Sequence, residues 1–107
     1  MYFKLREGLN MEEQFEQEIQ NKINTCIQLG YNPTGFIRMR NEHTAVGACR
    51  ILLENQDGWQ EGFGTLLLMN RLDLTIEDSV INLEYAELFT DEEIEVAQDR
   101  LNQARTN

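Results

Sequence analysis

The feature that most constrains this fold is a helical repeat of apolar residues between Met11 and Leu29. Five apolar residues recur there at spacings of three and four, which places them on one face of a helix. They are Phe15, Ile19, Ile23, Cys26 and Ile27. Asn10 and Glu13 can form a capping box before this helix, and Gly30 suits the left-handed position that follows one. The sequence therefore marks both ends of the helix.

A second helix is predicted to begin at Asn32 and Pro33. Asn32 would be its cap and Pro33 its first residue, because proline lacks a donor that the first turn leaves unused. A polar break is expected near residues 41–44. An apolar run over residues 45–53 then predicts a central helix that is surrounded by other elements.

Later signals predict further short helices. The segment 63–70 resumes the apolar pattern, and Thr75 and Thr90 are predicted to cap two more helices. Tyr85 and Phe89 are expected to close the core. No stretch sustains the alternation of a strand, so the predicted fold class is all-α, a compact globule of five to six short helices.

A length of 107 residues fits one domain. We predict a single helical domain over residues 11–104 and a polar tail over 105–107. Residues 1–10 do not share the helical pattern and are interpreted as an extension, either a disordered arm or the product of a start assigned too early. In the second case translation begins at Met11, because codons for Arg6, Glu7 and Gly8 can be purine-rich and mimic a ribosome-binding site.

The charge and the cysteine content restrict the class of protein. A net charge of −10 repels phosphate backbones, so no direct contact with nucleic acid is expected. No apolar run approaches the length of a membrane span, and two cysteines cannot build a disulfide framework. A cytoplasmic protein that does not enter membranes is the expectation.

No residue pattern predicts a catalytic site, a metal site or a cofactor. Cys26, His43 and Cys49 match no metal-binding spacing, and a Cys49–His43 pair has no supporting motif. The acidic clusters at residues 12–13, 77–78 and 91–93 fall on first turns of predicted helices, where the helix dipole accounts for them. An enzyme is therefore the less favoured class.

The remaining candidates for a functional surface are aromatic and basic residues near predicted loops. Residues 54–62 are predicted to form the one substantial internal loop. The middle of the chain could form a polar patch from Arg38, Arg40, His43 and Arg50, with intramolecular pairing to Glu42 or Glu54 as the alternative. The predicted partner-binding surface consists of Tyr31, Arg38, Arg40, Trp59 and Phe63.

Three motifs resemble those of a recurring family of short, stand-alone bacterial proteins. They are GYNPTGF at residues 30–36, RLDLTIE at 71–77 and LFTDEE at 88–93. The likeness runs from about Phe15 to Leu101 and implies a shared fold, with caps and core anchors at the matched positions, but no activity. The chain departs from the family pattern at Thr44-Ala45, where a glycine pair is frequent, and at Met69-Asn70, where an acidic residue is frequent.

Two classes of function fit these features. The leading hypothesis is a protein–protein interaction module that presents an aromatic anchor to an unknown protein partner. The alternative is an acidic mimic of nucleic acid that inhibits a DNA-acting protein. A homodimer is expected if one chain cannot bury the apolar run at residues 66–69.

Overall fold

The computed structural model describes residues 8–55 and 61–106, which form five α-helices and two 3₁₀ segments. These ranges contain no strand, so the all-α prediction is confirmed. Within them, no helix combines the length and the apolarity needed to cross a membrane. The helices are α1 (Met11–Gln28), α2 (Thr34–Glu54), α3 (Glu61–Leu68), α4 (Ile76–Val80) and α5 (Asp91–Thr106), and the 3₁₀ segments are Leu72–Leu74 and Leu83–Leu88.

The predicted capping boxes of α1 and α5 are confirmed. The backbone N–H of Glu13 donates to Asn10 Oδ1 at 2.8 Å, and the Asn10 N–H donates to Glu13 Oε1 at 3.0 Å. Thr90 and Glu93 exchange the equivalent bonds at 3.1 and 2.8 Å. After α1, Gly30 has a φ of 93°, the left-handed conformation expected of it.

The start of α2 corrects one prediction. Pro33 is the residue that precedes the helix, which begins at Thr34, and no side chain caps it. The ψ of Pro33 is 65°, outside the helical region, so the proline cannot be the first helical residue and Asn32 cannot be the cap. The entry into α2 instead uses backbone groups, since the Ile37 N–H donates to the Pro33 carbonyl at 2.9 Å.

The predicted break before the central helix is confirmed at Thr44. This residue has φ 68° and ψ 170° in the middle of α2, a conformation that favours glycine. The Thr44 hydroxyl accepts from the Gly47 N–H at 3.2 Å. From α1, the Glu16 carboxylate accepts from the Ala45 N–H at 2.6 Å. The second half of α2 therefore starts as a new helix with its own caps.

Replacing Thr44 by glycine is expected to raise the free energy of unfolding by about 1 kcal/mol. A β-branched residue in this region costs about 1–3 kcal/mol, whereas losing its cap to glycine costs only a few tenths. Chemical denaturation measures the difference. Asn70→Gly is the matched control, because Asn70 also has a positive φ of 60° but asparagine tolerates it, so a smaller change is expected. A destabilised Thr44→Gly protein would contradict the strain at this position.

The main core surrounds Phe15 on α1. Phe15 has no exposed surface, and its ring meets the rings of Tyr85 and Phe89 edge to face at centroid distances of 5.1 and 5.3 Å. Tyr85 and Phe89 are themselves buried, which confirms that they close the core. The other buried members of this cluster are Ile19, Ile23, Ala45, Val46, Cys49, Leu53, Val80 and Ala97.

Two smaller apolar clusters extend the core around α3. The first comprises Cys26, Leu66 and Leu74. The second comprises Phe63, Leu101 and Ala104. The α3 helix contributes Leu66 to the first cluster and Phe63 to the second, and it packs against the Leu72–Leu74 segment. It therefore lies beside α1, and its described side chains contribute no buried residue to the main core.

Candidate binding groove

A groove of about 330 Å³ lies where the three apolar clusters meet. Its walls are α1, the turn at residues 31–33, the first half of α2 with Leu52 from the second half, α3 and the stretch from Leu74 to Glu77. Most of the lining is apolar, which is typical of sites that bind ligands or partner side chains. The apolar lining includes Ile19, Ile23, Phe36, Met39, Phe63 and Leu66.

The break at Thr44 divides α2 into two halves with different surroundings. Ala45 and the buried residues after it pack into the main core, whereas Phe36 and Met39 before the break are half-buried. A straight helix would carry both halves along one axis. The kink at Thr44 separates the two halves, so the first half packs Phe36 against the edge of the main core and also lines the groove.

Tyr31 and Gly62 close one side of the groove. A Cβ atom added to Gly62 would lie 3.1 Å from the Tyr31 hydroxyl, so glycine permits the close approach of α3 to this ring. The Tyr31 backbone is held at the end of α1, because its N–H donates to the Cys26 carbonyl at 2.9 Å. Both residues line the groove.

Lys22 brings an ammonium group to the otherwise apolar face of α1 and lines the groove. Its side chain is 14% exposed. The Nζ atom donates to the Thr75 carbonyl at 3.0 Å and to Asp78 Oδ2 at 3.1 Å. The lysine therefore ties α1 to the first turn of α4, and its charge is balanced by a carboxylate.

Glu77 is the second charged residue of the groove lining and is 2% exposed. Its carboxylate accepts from Arg100 Nη1 on α5 at 2.9 Å, and Arg100 also donates to the Asn55 carbonyl at 2.8 Å. Burial raises the pKa of Glu77, while the hydrogen bond from Arg100 acts in the opposite direction. The pair joins α4, α5 and the end of α2.

The structure brings together two residues of the predicted partner-binding surface. Tyr31 and Phe63 line the same groove, where Phe63 is buried and Tyr31 is half-buried. Arg38 and Arg40 lie on α2 and do not belong to the described lining; Arg38 is exposed, and Arg40 donates to Gln20 Oε1 at 2.7 Å. Trp59 lies outside the described residues.

The central basic residues follow the sequence-based alternative only in part: His43 Nε2 lies 3.9 Å from the Glu42 carboxylate, whereas Arg50 pairs elsewhere. Its guanidinium donates to the Leu88 carbonyl at 2.7 Å and lies 3.4 Å from the Glu93 carboxylate. These partners come from the Leu83–Leu88 segment and α5, not from Glu42 or Glu54. The arginine therefore joins α2 to the start of α5.

Two residues of the groove lining, Lys22 and Glu77, were not predicted from the sequence, although their positions on apolar helix faces could have indicated them. Lys22 lies three residues after Ile19 and four before Cys26, so it is a lone cation on the apolar face of α1. Glu77 lies three and four residues before Val80 and Ile81, on the apolar side of α4. A charge at a position of the apolar face predicts burial with a partner.

The two thiols occupy environments that disfavour nucleophilic chemistry. Burial raises the pKa of Cys26 and of Cys49, which keeps both protonated. Cys49 has no exposed surface, whereas the side chain of His43 is 49% exposed. In the described part of the chain, no group of three or more His, Cys, Asp and Glu residues is placed to hold a metal ion.

The apolar run at residues 66–69 is mostly accommodated within one chain. Leu66 is buried and Leu67 and Met69 are half-buried, while Leu68 is 89% exposed. Single exposed apolar residues are ordinary on monomeric proteins. The homodimer therefore stays a prediction.

Comparison with known proteins found no matching family model, curated protein or solved structure. The resemblance to a family of short bacterial proteins consequently stays a prediction.

Proposed function

We propose that this protein is a binding module whose groove receives an apolar anchor from a basic protein partner. The observation that carries the proposal is an open, largely apolar groove of about 330 Å³ on a chain with a net charge of −10. Apolar anchors that fill preformed pockets dominate the energetics of many protein interfaces. The groove supplies such a pocket.

The chemistry of the partner follows from charge complementarity. Acidic residues on the first turns of α1 and α5, including Glu12, Glu13, Asp91 and Glu92, are exposed. Their field, together with the net charge of −10, favours association with a cationic surface and speeds the encounter. The partner therefore presents an apolar anchor on a surface rich in lysine and arginine.

Gly35 offers a position in the groove lining at which a side chain can be added. It lines the groove, and a Cβ atom added there would meet no atom within 4 Å. Gly35→Phe is expected to weaken partner binding at least roughly tenfold by occupying the space for the anchor. Gly35→Ala is the matched control, because it adds only a methyl group and a better helix-forming residue.

The measurement is capture of partners from host extract by the full chain and both variants, at low and high salt, followed by quantification. We expect wild type and Gly35→Ala to capture a basic protein, and Gly35→Phe to capture none of it at either salt concentration. The amount captured by wild type should fall as the salt concentration increases. If capture falls with salt but Gly35→Phe binds the protein as well as wild type does, the result would instead favour the acidic mimic of nucleic acid. Capture of no protein by the wild-type chain would also contradict the proposal.

A further inference from the structure

We infer that the anchor entering the groove is an uncharged apolar group, and that the basic residues of the partner stay outside the groove. This inference rests on the proposed function and names the chemistry that the groove selects. It is carried by the arrangement of Lys22 and Glu77, the two charged residues of the described groove lining.

The charges at the groove cancel in pairs. Lys22 Nζ lies 3.1 Å from Asp78 Oδ2, and Glu77 Oε2 lies 2.9 Å from Arg100 Nη1. Each charge of the lining thus has its counter-charge directly beside it. The groove consequently offers no surplus charge to a cationic or an anionic anchor, even though the whole chain is strongly acidic.

Because the paired charges are buried, the groove favours uncharged groups over charged ones. The side chains of Lys22 and Glu77 are 14% and 2% exposed, so interactions between charges are screened less here than on the open surface. A charged anchor would lose its hydration and find no unpaired counter-charge. An uncharged apolar anchor avoids that loss and still displaces water from Phe36, Met39 and Leu66, which line the groove.

The same geometry predicts how the selectivity can be changed. Removing the ammonium in Lys22→Met leaves Asp78 and the Thr75 carbonyl without their donor, so a cationic group should now be favoured. Removing the carboxylate charge in Asp78→Asn takes away the counter-charge that lies 3.1 Å from Lys22 Nζ, so an anionic group should be favoured. The two substitutions break one ion pair from opposite ends.

The experiment uses three probes that share a six-carbon tail: 1-hexanol, hexylammonium and hexanoate. Binding to the full chain is measured from amide chemical shifts of groove residues at neutral pH, in about 0.15 M salt to screen the general attraction of cations. We expect 1-hexanol to bind the wild-type groove at least roughly fivefold more tightly than either charged probe. Lys22→Met should move the preference towards hexylammonium, and Asp78→Asn should move it towards hexanoate.

Arg38→Met is the matched control, because Arg38 is exposed and does not belong to the described groove lining. It should leave the order of the three probes unchanged. The inference is overturned if a charged probe binds the wild-type groove as tightly as 1-hexanol, or if no probe shifts groove residues. The wild-type series decides this even if a variant fails to fold.

The outcome is separable from that of the proposed function. If Gly35→Phe abolishes capture of a basic protein but a charged probe is preferred, the groove is the partner site and this inference alone fails. If 1-hexanol is preferred but no protein depends on Gly35, the selectivity stands and the proposed function fails.

Discussion

Replacing Phe15 by alanine is expected to lower the free energy of unfolding by about 4 kcal/mol. Phe15 has no exposed surface, so the substitution leaves a cavity at the centre of the main core. It also removes both edge-to-face contacts, with Tyr85 and Phe89. A domain of this size has a stability of about 5–15 kcal/mol, so one substitution can remove a large share of it.

Equilibrium denaturation with urea measures this loss. Phe15→Leu is the conservative control, since it keeps most of the buried volume, and a cost of about 1–2 kcal/mol is expected. Phe36→Ala tests whether the loss depends on the place of the ring in the core. Phe36 is only half-buried, so its replacement should lower the free energy of unfolding by less than Phe15→Ala does. Equal losses for the two alanine variants would contradict the central role of Phe15.

Replacing Arg100 by methionine is expected to lower the free energy of unfolding by about 3 kcal/mol at pH 7.5. The substitution leaves the Glu77 carboxylate, which is 2% exposed, without its guanidinium partner. It also removes the donor to the Asn55 carbonyl at the end of α2. A buried carboxylate that loses its counter-charge is among the costlier single changes in a small domain.

The cost of Arg100→Met is expected to depend on pH in a defined direction. Burial already raises the pKa of Glu77 above its ordinary value of 4.5, and removing Arg100 raises it further. A group with a raised folded-state pKa loses its contribution as pH increases from the unfolded value through the folded one. The cost should therefore be smaller at pH 5 than at pH 7.5, by about 1 kcal/mol.

Glu77→Gln provides the control for this pH dependence. The amide cannot ionise, so in the Glu77→Gln background the cost of Arg100→Met should be smaller and the same at both pH values. Urea denaturation of the four proteins at pH 5 and pH 7.5 completes a double-mutant cycle. A pH-dependent cost that persists without the Glu77 carboxylate would show that another group is responsible.

The helices and their ends were accessible from local sequence patterns. The capping boxes at Asn10 and Thr90 and the left-handed Gly30 depend on contacts within a few residues, and local chemistry governs such contacts. The break at Thr44 was marked by local polar residues, although a carboxylate from α1 caps the helix that follows it. The entry into α2 was missed by one residue, because the ψ of Pro33 depends on how the turn packs after α1. The first and last residues of a helix depend on more than the local apolar pattern, so their positions are the hardest part of a helix to predict.

The binding groove was only partly accessible in this way. Tyr31 and Phe63 were candidates because aromatic residues near loops often anchor partners, but nothing in their spacing indicated that they share one groove. Lys22 and Glu77 were overlooked, although each places a charge on an apolar helix face. Their partners, Asp78 and Arg100, lie 56 and 23 residues away.

The sequence by itself determined the fold class, most helix ends and the acidic character of the surface, since these depend on composition and on short-range spacing. Only the tertiary structure decided where the groove lies, which walls enclose it and how its charges cancel. Ion pairs such as Lys22 with Asp78 form between separate helices, and their geometry depends on packing. Local patterns do not encode that packing, because it is the outcome of all the core contacts together.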